Sequence, residues 1–237
     1  DTYLKIFQDV LITDKTLKDD LKDTNTLTSG FKLALDHEDY NLTTGMTAYE
    51  SLQTAKNSDR FQYVFPYYSF SKDLISNFKG KLAFSSSGNN RLSNTNNLKT
   101  IVSNNLNYTS NNMYSMNGFV NNYGVFFRNL NSVGKNDSEY KSSVQSEILN
   151  IYEVNTALPL IKEIGDKLSY LTPRASFRIN PSDMKDHSGG GGLITTDNVF
   201  SINRLGLSDS YESGKSLTLG IDYRKENQSD IDKFLEI

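Results

Sequence analysis

The chain has 237 residues, with 25 Lys+Arg against 28 Asp+Glu, and its net charge of -3 gives no electrostatic case for a nucleic-acid or an acidic partner. Only 36% of residues are hydrophobic, Tyr and Phe are abundant (14 and 13) and Trp is absent, which fits sheets with one wet face and fits buried parallel sheets poorly. No stretch approaches the ~18 consecutive apolar residues of a membrane helix. Membrane strands stay open, because they carry their signal in alternation. Cysteine is absent, so there is no disulfide framework and no thiolate metal site within this sequence. Both ends read as cuts, which leaves room for a signal peptide upstream.

Taken in order, residues 1–12 are expected to form a strand. Residues 15–23, with Leu17 and Leu21 among charges, read as a polar loop or a short surface helix. Residues 27–36 alternate cleanly, with Leu27, Phe31, Leu33 and Leu35 opposite Thr28, Gly30, Lys32 and Ala34. A turn at 37–39 leads to a returning strand at 40–51, and a polar loop follows at 53–60. Residues 61–71 form an aromatic strand containing Pro66. Proline has no amide proton for the ladder, so a bulge or bend is expected there. A turn at 73–77, a strand at 78–87, a loop at 88–96 and a strand at 98–108 come next. After a turn at 110–112, residues 116–130 alternate Phe119, Tyr123, Val125 and Phe127 against Gly118, Asn122, Gly124 and Arg128. A loop at 131–142, a strand at 144–158, a turn at 161–169 and a strand at 170–180 follow. The irregular stretch 181–196 is expected to be mobile.

Residues 197–226 read as a hairpin, with a short strand at 199–204, an acidic turn at 205–214 and a long strand beyond. In that strand Leu217, Leu219, Ile221 and Tyr223 share one parity, and Ser216, Thr218, Gly220, Asp222 and Arg224 share the other. The total is about eleven strands and no long helix. Connections alternate between long and short, as in up-and-down transmembrane barrels. Gly30, Gly45, Gly118, Gly124 and Gly220 all fall on the polar parity, where a curling sheet needs room. Arg174, Arg178, Asp222 and Arg224 on that parity favour a polar, watery interior, with Leu217, Leu219, Ile221 and Tyr223 facing lipid.

Sites of chemistry are sparse. The run Gly189–Gly192 lacks the Lys-Ser/Thr and the helix of a phosphate cradle, and reads as a loop. Asp183, Asp186 and His187 are weak metal ligands on that loop. His37 and His187 both sit in polar turns and assemble no Ser/His/Asp set. No catalytic residue, cofactor or metal is expected, and the protein does not read as an enzyme. The arginines of the polar face are the best functional candidates.

The residues Asn198, Phe200, Ser201, Asn203, Arg204, Leu205, Asp209, Glu212, Gly214 and Gly220 resemble a signature of the lipopolysaccharide-assembly outer-membrane proteins, the LptD family. Ala157-Leu158-Pro159-Leu160-Ile161-Lys162 followed by Leu171-Thr172-Pro173-Arg174 is similar to another of its strand pairs. Tyr63-Val64-Phe65-Pro66-Tyr67-Tyr68-Ser69 and Asp1-Thr2-Tyr3-Leu4 resemble two more, all in the family's order. The resemblance implies that residues 1–237 are a central, partial barrel domain of the Gram-negative cell outer membrane. The jelly roll and the terminal strands of the lateral gate would lie outside it. It further implies lipopolysaccharide as cargo, and outer-membrane lipid, an LptE-like plug lipoprotein and the periplasmic Lpt bridge proteins as partners, the last through the absent N-terminal domain. The alternatives are a porin or receptor barrel, or a soluble all-β binding module. An isolated slice is expected to be an open sheet, with edges near 1–12 and 216–225.

Overall fold

The computed structural model describes residues 3–9, 26–51, 61–94, 96–227 and 230–236. Its strands are β1 (Tyr3–Asp9), β2 (Thr26–Asp36), β3 (Tyr40–Ser51), β4 (Phe61–Asn77), β5 (Gly80–Ser93), β6 (Asn97–Ser110), β7 (Met113–Tyr114), β8 (Val120–Lys135), β9 (Gln145–Ala157), β10 (Leu160–Ile164), β11 (Lys167–Asn180), β12 (Gly214–Asn227) and β13 (Asp230–Glu236). The hydrogen-bonded order is β1-β2-β3-β4-β5-β6-β8-β9-β11-β12-β13, with β7 on β8 and β10 on β11. The described residues are therefore all-β, in one antiparallel sheet of thirteen strands with eleven in its continuous order, and that sheet does not close on itself.

The count agrees with the sequence reading only because two differences offset each other. Residues 199–204 form turns, and β13 is an additional strand. β12 therefore pairs with β11 and β13 and has no hairpin partner at 199–204. The second end of the order is β13, not residues 216–225. The stretch 199–204 escapes strand pairing because Asn198 and Asn203 bond to nearby backbone instead, the local competition that favours turns. Asn198 Oδ1 accepts from Thr195 N (2.8 Å), and Asn203 Oδ1 accepts from Leu207 N (3.0 Å).

Other boundaries shift too. β4 continues through 73–77 and β5 through most of 88–96, so the connection expected there shrinks to residues 94–96. Gly118 lies in the turn after β7, at φ +81°, and not inside a strand. The readings at 15–23 and 53–60 lie outside the described residues. At Pro66 the expected irregularity is present: Gly45 pairs with Tyr67 but Thr47 pairs with Val64, so the register shifts across the proline. Phe31 and Tyr67, on the strands to either side, explain Gly45. A Cβ there would collide with the Phe31 carbonyl oxygen and stand 2.7 Å from the Tyr67 hydroxyl oxygen, so glycine makes room for the neighbouring backbone as well as for the ring of its cross-strand partner.

By contact density the chain forms two compact units. Unit 1 is Asp1–Leu74, Ala83–Leu106 and Arg128–Ile148; unit 2 is Ile75–Leu82, Asn107–Phe127 and Leu149–Ile237. Within unit 1, Leu130 and Tyr140 are buried. Within unit 2, Leu149 and Ile151 are fully buried, and Phe126, Met184 and Tyr211 nearly so. Phe126 and Tyr211 meet edge-to-face at 5.0 Å between centroids. The opposite face of β9 stays open, with Tyr152 and Val154 exposed. β9 is thus apolar on both faces at 149–154, which parity alone does not resolve.

Candidate functional site

The site is the polar face of β11, β12 and the part of β9 from Leu149 onward, with the connection 181–213 folded onto it, all within unit 2. Period two puts Thr172, Arg174, Ser176, Arg178 and Asn180 of β11 on one face. Antiparallel register sets Arg178 opposite Glu153 on one side, and Thr172 opposite Asp222 on the other.

Arg178 is 5% exposed. Its Nε and Nη2 donate to Glu153 Oε2 (3.1 and 3.0 Å), and Nη2 also donates to the Ser201 carbonyl (2.7 Å). A charge this buried persists only with such partners, because desolvation otherwise outweighs attraction. Arg174 Nη2 donates to Asp222 Oδ1 (2.9 Å), and its guanidinium lies 4.1 Å from the Phe200 ring centroid. Arg224 Nε donates to Glu226 Oε2 (3.1 Å). The four polar-face candidates Arg174, Arg178, Asp222 and Arg224 are therefore all in ion pairs. On the other face of β12, Leu217, Leu219 and Ile221 are 64%, 72% and 66% exposed, while Thr218 between them is 8% exposed. Tyr223 shares the apolar parity and is half-buried, opposite Leu171.

Thr218 is covered because Arg204 sits on it. Arg204 Nε and Nη2 grip the Glu212 carboxylate in a fork (2.6 and 2.7 Å), and Nη1 donates to Thr218 Oγ1 (3.1 Å). These paired bonds hold the Glu212 carboxyl below the usual glutamate range. Asn180, 1% exposed, donates from Nδ2 to the carbonyls of Tyr211 (3.3 Å) and Glu212 (2.9 Å). Its Oδ1 accepts from Ser182 N and Oγ.

The stretch 181–196, expected to be mobile, is tied down by carboxylates. Asp209 Oδ2 accepts from His187 N (3.1 Å) and Ser188 N (2.9 Å). Asp186 accepts from Asp209 N (2.7 Å) and Gly190 N (2.6 Å). Burial alone would push the Asp186 carboxyl up; the backbone donors outweigh it and hold the group low. Asp186 thus closes a loop with its oxygens, and Gly189–Gly192 folds around it. Met184 is the one buried apolar anchor of this stretch, while Leu193 is exposed.

Sequence reasoning marked the four charged side chains of β11 and β12 but missed Glu153, Asn180 and the cover formed by 197–213. Glu153 carried a signal, since it shares the parity of Asn155 and follows the apolar Leu149 and Ile151 on that face. A hollow of about 320 Å³ beside the cover is lined by Asn112, Asn122, Asn155, Arg174, Val120 and Phe200, among others. Its amide and guanidinium donors suit hydroxyl-bearing or solvated polar groups rather than proton abstraction.

The fold defines a class only: an open antiparallel sheet in which, within unit 2, the apolar face of β12 is exposed and part of the polar face of β11 and β12 is covered. Comparison with protein-family models gives no match, and comparison with curated proteins gives none. Residues from 198 to 212 converge on the cover. Asn198, Asn203, Asp209 and the Arg204–Glu212 pair hold the cover; Phe200 and Ser201 meet Arg174 and Arg178; the Leu205 carbonyl accepts from Gly192 N (2.7 Å).

Proposed function

We propose that this chain is a wall-forming segment of an outer-membrane β-barrel that acts in lipopolysaccharide assembly in the manner of the LptD family. One observation carries the membrane part. Along β12 the large apolar side chains Leu217, Leu219 and Ile221 point to solvent, while the intervening face is polar, ion-paired and covered. In water that arrangement is inverted; against lipid it is the stable one. The resemblance of residues 198–220 to the family signature supports the lipopolysaccharide part, because the same residues build the cover. In this reading the polar face lines the lumen, the chain is not an enzyme, and its partners are lipopolysaccharide, a plug lipoprotein and the periplasmic bridge.

A soluble β module is the competing reading. It is favoured by the buried cluster of Phe126, Leu149, Ile151, Met184 and Tyr211. Depletion in cells separates the readings. The barrel proposal expects the protein in the outer-membrane fraction, and newly made lipopolysaccharide withheld from the cell surface as the protein runs out. Normal surface lipopolysaccharide with reduced solute uptake would replace it with a porin or receptor. Recovery in a soluble fraction would replace it with the soluble module.

A further inference from the structure

The apolar parity is interrupted in unit 1 by a ladder of uncharged polar side chains that crosses five strands. Ser86 Oγ donates to Asn104 Oδ1 (2.8 Å), so the Tyr68 hydroxyl, 3.1 Å from Ser86 Oγ, is the donor of that pair. Asn104 Nδ2 reaches Asn129 Oδ1 (3.5 Å), Asn131 Nδ2 donates to the same oxygen (2.6 Å), and Asn129 Nδ2 donates to Ser146 Oγ (3.1 Å). Residues two apart on a strand share a face, so Phe70, Phe84 and Leu106 stand on the ladder's own face, one step along their strands. Phe70 and Phe84 meet there at 6.2 Å between centroids. Apolar rings and an amide-hydroxyl row thus lie side by side on one surface.

We propose that this row docks on the headgroup zone of the bilayer and sets the depth at which the hydrocarbon ends on the wall formed by β4, β5, β6, β8 and β9. The inference rests on the membrane reading above. Asn129 is fully bonded, its second amide hydrogen going to the Glu147 carbonyl (3.4 Å), but Asn104 and Asn131 carry more donors and acceptors than the ladder uses. Those left over find glycerol and phosphate-ester oxygens at the interface, and nothing in hydrocarbon. The row bears no charge, as suits a zwitterionic surface. A tyrosine at its end, with phenylalanines on the apolar side, matches the aromatic order of a membrane boundary.

Depth-resolved quenching tests it. In the full-length protein reconstituted in phosphatidylcholine vesicles, an environment-sensitive fluorophore is attached at Ser86→Cys, Asn131→Cys, Leu106→Cys or Leu219→Cys, one variant at a time. Quenchers are carried either on the choline headgroup or midway along the acyl chain. The expected result is headgroup quenching at Ser86→Cys and Asn131→Cys, and acyl-chain quenching at Leu106→Cys and Leu219→Cys. Acyl-chain quenching at all four positions would overturn the proposal, as would a ladder shielded from both quenchers by a second protein surface while Leu106→Cys is quenched from the chain. If Leu219→Cys is quenched by neither, the membrane reading itself has failed.

Discussion

The ring of Phe200 occupies the space that a side chain at Gly220 would need. A Cβ on residue 220 would stand 2.8 and 2.9 Å from two carbons of that ring. The glycine in β12 and the aromatic in the cover are therefore one device, which also seats the ring under the Arg174 guanidinium. Gly220→Ala should force the ring away and cost ~1–3 kcal/mol, the scale of overpacking a filled site. Adding Phe200→Ala should cost less in the Gly220→Ala background than alone. Protease cleavage within 197–213 reads both; additive effects would contradict the coupling.

The cover should be acid-labile. The Glu212 and Asp186 carboxyls both lie below their ordinary range when folded. Groups with depressed folded pKa values contribute stability that is complete above the unfolded values, about 4, and is lost as pH falls through the folded ones. The protection factors of amides in 186–212, with the intrinsic pH dependence of exchange divided out, should therefore fall toward about pH 3 and stay flat above about pH 5. Glu212→Gln should lessen the acid response while weakening the cover at neutral pH.

Asn180 links β11 to the end of the cover through buried bonds. Asn180→Ala leaves the Tyr211 and Glu212 carbonyls without their amide donor and should cost ~1–3 kcal/mol. Thermal unfolding measures it, and Asn180→Asp should be no better, because a carboxylate cannot donate.

The faces of β12 differ sharply in what they tolerate. If Leu219 faces hydrocarbon, Leu219→Arg should cost ~2–4 kcal/mol and impair assembly. Thr172→Arg, opposite Asp222 on the polar face, should be mild. Thr218, although on the polar parity, is a poor control because Arg204 already covers it. Outer-membrane yield of the two variants gives the comparison, and equal yields would contradict a lipid-facing Leu219.

The strand faces were legible in the sequence because they follow from local geometry. A period of two separates Leu217, Leu219 and Ile221 from Thr218, Gly220 and Asp222 whatever the partners are. Pro66 likewise marked its own irregularity, since the missing amide proton is a property of the residue. The cover was not legible. Its bonds join residues far apart in sequence, Arg178 to Ser201, Asn180 to Glu212 and Asp186 to Asp209, and no repeating pattern announces such contacts. The same tertiary closure buried Leu149 and Ile151 on the face that also carries Glu153 and Asn155, and turned 199–204 from an expected strand into a folded cap. Sequence periodicity determined which side chains point the same way; only the returning chain decided which of those faces would be covered.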